Sequence, residues 1–251
     1  MKVAINQPAY LPWLGYFDLM DQVDLFILLD SVQFEKQSWQ QRNRIKTPVG
    51  LQWLTVPVVF RGHFGQEVKD VAIRDLEFGR KQLRSIELNY RKAQFFDRYF
   101  SKLPEFLQPG VATNRLAELN ECLIRWFCEE LGIHTPIVRA SEVNQPGRRS
   151  ELLINLCRAV GTDSYMSPIG SASYLLADLD LFSRAGIEVT FQHYEHPVYR
   201  QLFPPFCSHA SVLDLLFNHG DESAGILRSG RKTALMPHEV SPPALAVGSA
   251  E

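Results

Sequence analysis

Four cations, Lys36, Arg42, Arg44 and Lys46, fall within eleven positions, interleaved with Gln37, Gln40, Gln41, Asn43 and Trp39. Guanidinium and ammonium groups beside planar amides suit a phosphate or carboxylate, and an indole can stack on a ring. A solvated charge run has the same composition. Trp39 among the charges, and the position of the segment just past an apolar run, weigh for a site. A second polar stretch, residues 164–173 (SYMSPIGSAS), gathers serine hydroxyls around a proline and a glycine. Backbone N–H groups and the hydroxyls of Ser167 and Ser171 could hold a phosphate or sugar there, although an ordinary serine-rich turn reads the same way. A third stretch, residues 192–201, carries His193, His196 and Tyr199. With Cys207 and His209 downstream it suggests a metal. The spacing fits no zinc pattern, however, and imidazoles three apart at a strand end point to opposite faces. General acid–base use of His193 or His196 is the better reading, since imidazole titrates near neutral pH.

These stretches need a frame to bring them together. Val3-Ala4-Ile5 reads as a buried strand. Gln7, Pro8, Tyr10, Pro12, Trp13 and Gly15 form a shaped loop. Phe17, Leu19, Met20 and Val23 follow helical spacing, and residues 25–29 form an apolar strand between Asp24 and Asp30. A βαβ unit results, and ligands of parallel sheets sit beyond the carboxyl ends of strands. Those ends are Asn6-Gln7 and Asp30-Ser31, which makes Asp30 a candidate catalytic carboxylate and Gln7, Tyr10 and Trp13 candidate contacts. Residues 53–59 read as an edge strand. Residues 78–131 read as helical, with an aromatic stripe (Phe95, Phe96, Tyr99, Phe100, Phe106) that belongs to a core, and Pro109-Gly110 as a break. Ser211 and Asp214 have the spacing of a helix cap. The expected fold is α/β, a Rossmann-like, mostly parallel sheet opened by a βαβ unit, with a helical insertion after the first half. One domain spans 1–230, and 231–251 reads as a disordered tail.

The ordered series QPAYLPWLGYF, DLFILLDSVQFEKQSWQQRNRIKTPVG and WLTVPV, continued by YMSPIGSASYL and HYEHPVYRQLFPPFCSHASVLDLLFNHG, resembles the WbqC-like family over roughly residues 1–230. The resemblance implies a setting in bacterial O-antigen and surface-polysaccharide synthesis. It implies a transferase on a nucleotide-activated amino sugar, by acyl or aminoacyl transfer, or a non-catalytic module for a glycan precursor or partner. Lys36, Arg42 and Arg44 would then hold a diphosphate, Trp39 or Trp13 would stack, and Asn43 and Gln7 would fix hydroxyls. A weaker likeness joins Trp13-Leu14-Gly15-Tyr16 to the His-x-Gly-His of HIGH-motif nucleotidyltransferases, with aromatics in place of both histidines.

The 251 residues, 45% of them apolar, suffice for a core without staples. A net charge of −2 gives no reason to expect nucleic acid as a partner. Four cysteines without a CxxC pair, no signal-peptide pattern and no long apolar run lead us to expect a cytoplasmic protein with no membrane span, and the resemblance implies a small-molecule substrate, a nucleotide sugar or activated acyl donor. Neither GxGxxG nor a Walker loop is present, so the two commonest glycine-based phosphate cradles are absent, and the sequence leaves the cofactor unknown.

Overall fold

Val3, Ala4 and Ile5 form the centre of β1 (Lys2–Asn6) in the computed structural model, which describes residues 1–75, 77–108 and 113–240. The proline-rich loop turns the chain into α1 (Leu14–Asp21), and β2 (Leu25–Leu28) lies parallel to β1, with Val3 opposite Leu25. The chain then leaves the sheet as a hairpin, β3 (Arg42–Thr47) with β4 (Gly50–Thr55), and as helices α2 (Phe78–Tyr90), α3 (Phe96–Phe100), α4 (Pro104–Leu107) and α5 (Leu116–Leu131). Gly132, left-handed at φ 63°, ends α5. β5 (Ile137–Arg139) returns beside β2. Helices α6 (Ala140–Val143) and α7 (Ser150–Ala159) lead to β6 (Ser164–Ser167), on the other side of β1. Helices α8 (Ala172–Leu175) and α9 (Leu179–Arg184) precede β7 (Glu188–Phe191), and α10 (Val212–His219) and α11 (Ser223–Ser229) follow it.

The parallel strand order β5-β2-β1-β6-β7 is the doubly wound arrangement, and its direction of winding reverses between β1 and β6. The period of two along each strand divides the core. Ala4, Phe26, Leu28 and Met166 face a cluster built with α1, α5 and α10. Val3, Ile5, Ile27, Tyr165 and Val189 face a second one built with α7 and α9. The expected α/β fold with its opening βαβ unit is therefore present. The aromatic stripe is core, with Phe96 and Tyr99 buried.

Three expectations change. Residues 31–46 are not one loop, because Arg42 to Thr47 is strand. Asn43 and Ile45 point into the core, and the charged positions between them share the other face of a two-residue alternation. Residues 164–173 are likewise loop only from Pro168. Tyr165 and Met166, flanked by serines, are enough to make the strand that completes the sheet. The tail does not begin at 231. Arg231 donates to Asp18 at 2.8 Å and pairs with Asp21, Lys232 N–H donates to the His193 carbonyl at 3.0 Å, and Leu235 exchanges backbone hydrogen bonds with Phe191. Low hydrophobicity hid a segment held by polar contacts. Pro109-Gly110 and residues 241–251 lie outside the described residues.

Candidate functional site

Trp13 is the residue on which the rim is built. It precedes α1 at the carboxyl end of β1, where Leu11, buried at φ 44°, takes a backbone conformation rare for a bulky residue. The Leu11 carbonyl accepts from Asn43 Nδ2 at 2.7 Å, and the Pro12 carbonyl accepts from Val212 N–H at 2.9 Å. The loop is therefore clamped between the hairpin and α10. The Trp13 ring folds over Gly15, where a Cβ would come within 2.2 Å of the indole. Gly15→Ala should push Trp13 out of the rim at a cost of about 1–3 kcal/mol. A red-shifted indole emission with a lower unfolding midpoint is the expected result, and an unchanged spectrum would speak against this packing.

The outer face of Trp13 meets the segments after β7. Its ring centroid lies 4.8 Å from that of His209, 5.7 Å from Tyr194 and 6.1 Å from His196, the last in parallel stacking. His196 lies 5.1 Å from His209, 6.0 Å from Tyr199 and 5.7 Å from Phe206. Nδ1 of His196 is 2.9 Å from the Pro197 carbonyl. A carbonyl only accepts, so Nδ1 carries the proton and Nε2 keeps its lone pair. That Nε2 is buried without a partner. His209 holds Ser208 Oγ at 2.8 Å through Nδ1, from a backbone strained to φ 61°.

The hairpin supplies the other half. Antiparallel register sets Arg44 opposite Trp53 and Arg42 opposite Thr55. The Arg42 guanidinium lies 4.2 Å above the Trp53 ring, and that of Arg44 lies 5.3 Å from Trp53 and 5.5 Å from Trp39. Trp39 and Trp53 remain 48% and 42% exposed. Nε of Arg44 is buried and unpaired. The Arg44 carbonyl accepts from Ser211 N–H at 2.8 Å, tying the hairpin to the start of α10 and so to His209.

Burial, with its neighbour His209, holds the His196 imidazole below its ordinary value, although the contact with Pro197 opposes this. Burial and the Arg44 charge hold His209 down as well. Both rings are thus neutral near pH 7. As pH falls, the unfolded chain takes up these protons first. Their contribution to stability is therefore complete above an ordinary imidazole value of 6.5 and is lost as pH falls from there through the depressed folded values. In thermal melts, the His196→Gln/His209→Gln pair should lose less Tm on acidification than the parent does. Equal losses would contradict the depressed values.

Beneath the histidines lies Asp214. Its carboxylate accepts from the hydroxyls of Tyr90 (2.8 Å) and Tyr199 (2.9 Å) and from Gln201 Nε2 (2.8 Å). Gln201 in turn holds both the N–H and the carbonyl of Cys207, which fixes the loop that carries His209. Ser211 caps α10 as expected, accepting from Leu213 N–H, but Asp214 serves this network rather than the cap. Lys46 is buried nearby, 1% exposed, with Nζ donating to the Thr47 carbonyl at 3.2 Å.

Of the residues singled out in the sequence, Trp13, Trp39, Arg42, Arg44, His196 and Tyr199 lie in or against this rim. Gln7 borders it, accepting from Gln40 Nε2 at 2.7 Å. The others are placed differently. Tyr10 is fully buried with its hydroxyl on Gln82, and Asn43 is spent on Leu11. Asp30 is buried and takes the N–H and hydroxyl of Ser141 at 2.9 and 2.6 Å, which makes it an anchor for the start of α6. Ser167 is buried, with its hydroxyl on the Pro168 carbonyl, while Ser171 stays half-exposed where the chain turns into α8. Lys36 lies 5.5 Å from the Phe60 ring, and His193 lies 3.9 Å from Glu195, outside the Trp13 stack. Trp53 is expected only as part of a strand, and His209 only within the metal spacing that fits no zinc pattern. The two-residue alternation around a turn at 48–49 is a signal for Trp53. Nothing local places His209 beside Trp13. Among the described residues no group of three or more His, Cys, Asp or Glu side chains is arranged to hold a metal.

The doubly wound sheet with its rim over the strand ends defines a Rossmann-like α/β protein. The chain belongs to the WbqC-like protein family, whose profile matches residues 7–226. "Uncharacterized protein Rv1507c" of Mycobacterium tuberculosis is 37% identical over 235 residues, covering 92% of this chain and 99% of the relative. No solved structure matches. No helix among the described residues is long and apolar enough to cross a membrane.

Proposed function

We propose that the protein is a transferase acting on a nucleotide-activated amino sugar, by acyl or aminoacyl transfer, in bacterial O-antigen or related surface-polysaccharide synthesis. The observation that carries this reading is the pairing of exposed indoles with guanidinium groups beside two neutral imidazoles. Trp39 and Trp53 offer faces for a base or sugar ring, Arg42 and Arg44 offer charge for a diphosphate, and a neutral imidazole can take the proton of an attacking amine. The likeness to the HIGH motif adds no phosphate donor, since Tyr16 is buried with its hydroxyl on the Gln7 carbonyl at 3.1 Å. Mass spectrometry of metabolites carried through purification should find a nucleotide sugar. A ligand lacking a diphosphate would overturn the proposal.

A second reading, a non-catalytic platform for a glycan precursor, is favoured by one observation. Cavities of about 430, 420 and 400 Å³ lie against the β7 edge, between α2 and Phe100, and around Phe95 and His219, and none is lined by Trp13, Arg44 or His209. Turnover of the co-purified ligand with any acyl donor would remove this second reading.

A further inference from the structure

Two nitrogen atoms of the rim, Arg44 Nε and His196 Nε2, are buried and lack a partner. Orphaned buried polar atoms are uncommon, and each costs free energy until a partner arrives. The two are opposite in kind. Arg44 Nε is a donor, and His196 Nε2 is an acceptor as long as Nδ1 faces the Pro197 carbonyl. His209 neighbours both, and the Ser211 N–H two residues on donates to the Arg44 carbonyl at 2.8 Å. Its ring is 5.1 Å from that of His196, the Arg44 charge acts on it, and its Nδ1 is engaged by Ser208. A hydroxyl could accept from Arg44 Nε and donate to His196 Nε2, but it would bring no negative charge to the guanidinium. An oxyanion accepts from Arg44 and also favours a proton on an adjacent imidazole, which turns an idle acceptor into a second donor.

We propose that Arg44, His209 and His196 form an oxyanion subsite that takes up one proton from solvent as a phosphoryl-class group enters. This deepens the nucleotide-sugar reading, because it assigns the diphosphate to Arg44 and His209 rather than to Lys36. The proton adds to Nε2 of one imidazole, and no bond to the ligand forms. The charged and titratable groups around the pair allow a single proton. Arg44 faces it from β3, and Tyr194, Tyr199 and Cys207 flank it on its own segments. Asp214 and His219 of α10 lie behind Tyr199, while Asp18 of α1 and Arg231 lie behind Tyr194. Asp214 is already taken up by two tyrosines and Gln201, and Glu195, which precedes His196, pairs with Lys232 at 3.2 Å.

The test is a pH titration of the imidazole C–H signals by NMR, on the free protein, with inorganic sulfate, and with UDP-N-acetylglucosamine. Neither probe changes its own charge near neutral pH. The titration midpoints of His209 and His196 should rise by about one pH unit or more with either probe. His134, exposed ahead of β5, should not move. In Arg44→Gln, folded by its amide spectrum, the rise should vanish. Midpoints unmoved by both probes would overturn the subsite. A rise with sulfate but no binding of the nucleotide sugar would keep the subsite and remove the sugar reading. Nucleotide-sugar binding by calorimetry without a rise would remove the subsite and keep that reading.

Discussion

Asp214→Ala should lower the stability of the protein by about 4 kcal/mol, because a buried acceptor of three hydrogen bonds disappears and its donors stay buried. The hydroxyls of Tyr90 and Tyr199 have no other acceptor within the network described, and Gln201 Nε2 keeps only the Cys207 carbonyl. Tyr90 also receives Lys46 N–H at 2.8 Å, so the loss reaches the hairpin. Burial raises the Asp214 carboxyl above its ordinary value, against the pull of its hydrogen bonds and of Lys46. The folded protein therefore keeps this proton after the unfolded chain has released it. The associated stability is complete below the ordinary carboxyl range and is lost as pH rises from there through the raised folded value. Asp214→Asn keeps the shape and one of the two acceptor oxygens, so it should recover part of the loss and remove that part of the pH dependence. Chemical unfolding of the two variants checks both points. Equal and large losses in both would mean that the charge itself is needed.

The second large effect is on binding. Arg44→Ala should weaken binding of a nucleotide-diphosphate sugar roughly ten- to a hundredfold, the value of a charged hydrogen bond to phosphate. Arg44→Lys should restore little, since an ammonium lacks the flat fork that lies against Trp39 and Trp53. Lys36→Ala should leave affinity nearly unchanged, because Lys36 is exposed and sits against Phe60. Titration calorimetry of the three variants separates these effects. A larger loss from Lys36→Ala than from Arg44→Ala would move the site to the loop before β3.

The frame was legible wherever apolar runs matched a period. β1, α1 and β2 follow from a few buried side chains each, and α5 from a stripe closed by Gly132. β6 escaped because only Tyr165 and Met166 face the core. β3 escaped because it carries Arg42, Arg44 and a buried Lys46, the residues that draw the eye toward a loop. In the site, Trp13 and His196 stood out as residues a bare fold does not need. Their company did not, since the contact of Trp13 with His209 spans most of the chain and is made by the sheet order, not by local spacing. Polar residues such as Asp30, Tyr10 and Asn43 look the same in sequence whether they serve a ligand or the fold. Only burial and the presence of a partner tell them apart.

Hydrogen exchange with and without UDP-N-acetylglucosamine tests the central claim most directly, namely that the rim around Trp13, Arg44 and His209 is where this protein meets its ligand. Slowed exchange should appear together in the loop before α1, in β3 and β4, and in the segments between β7 and α10. Protection centred instead on the outer edge of β7 or on the helices between β4 and β5, or no protection at saturating ligand, would contradict it.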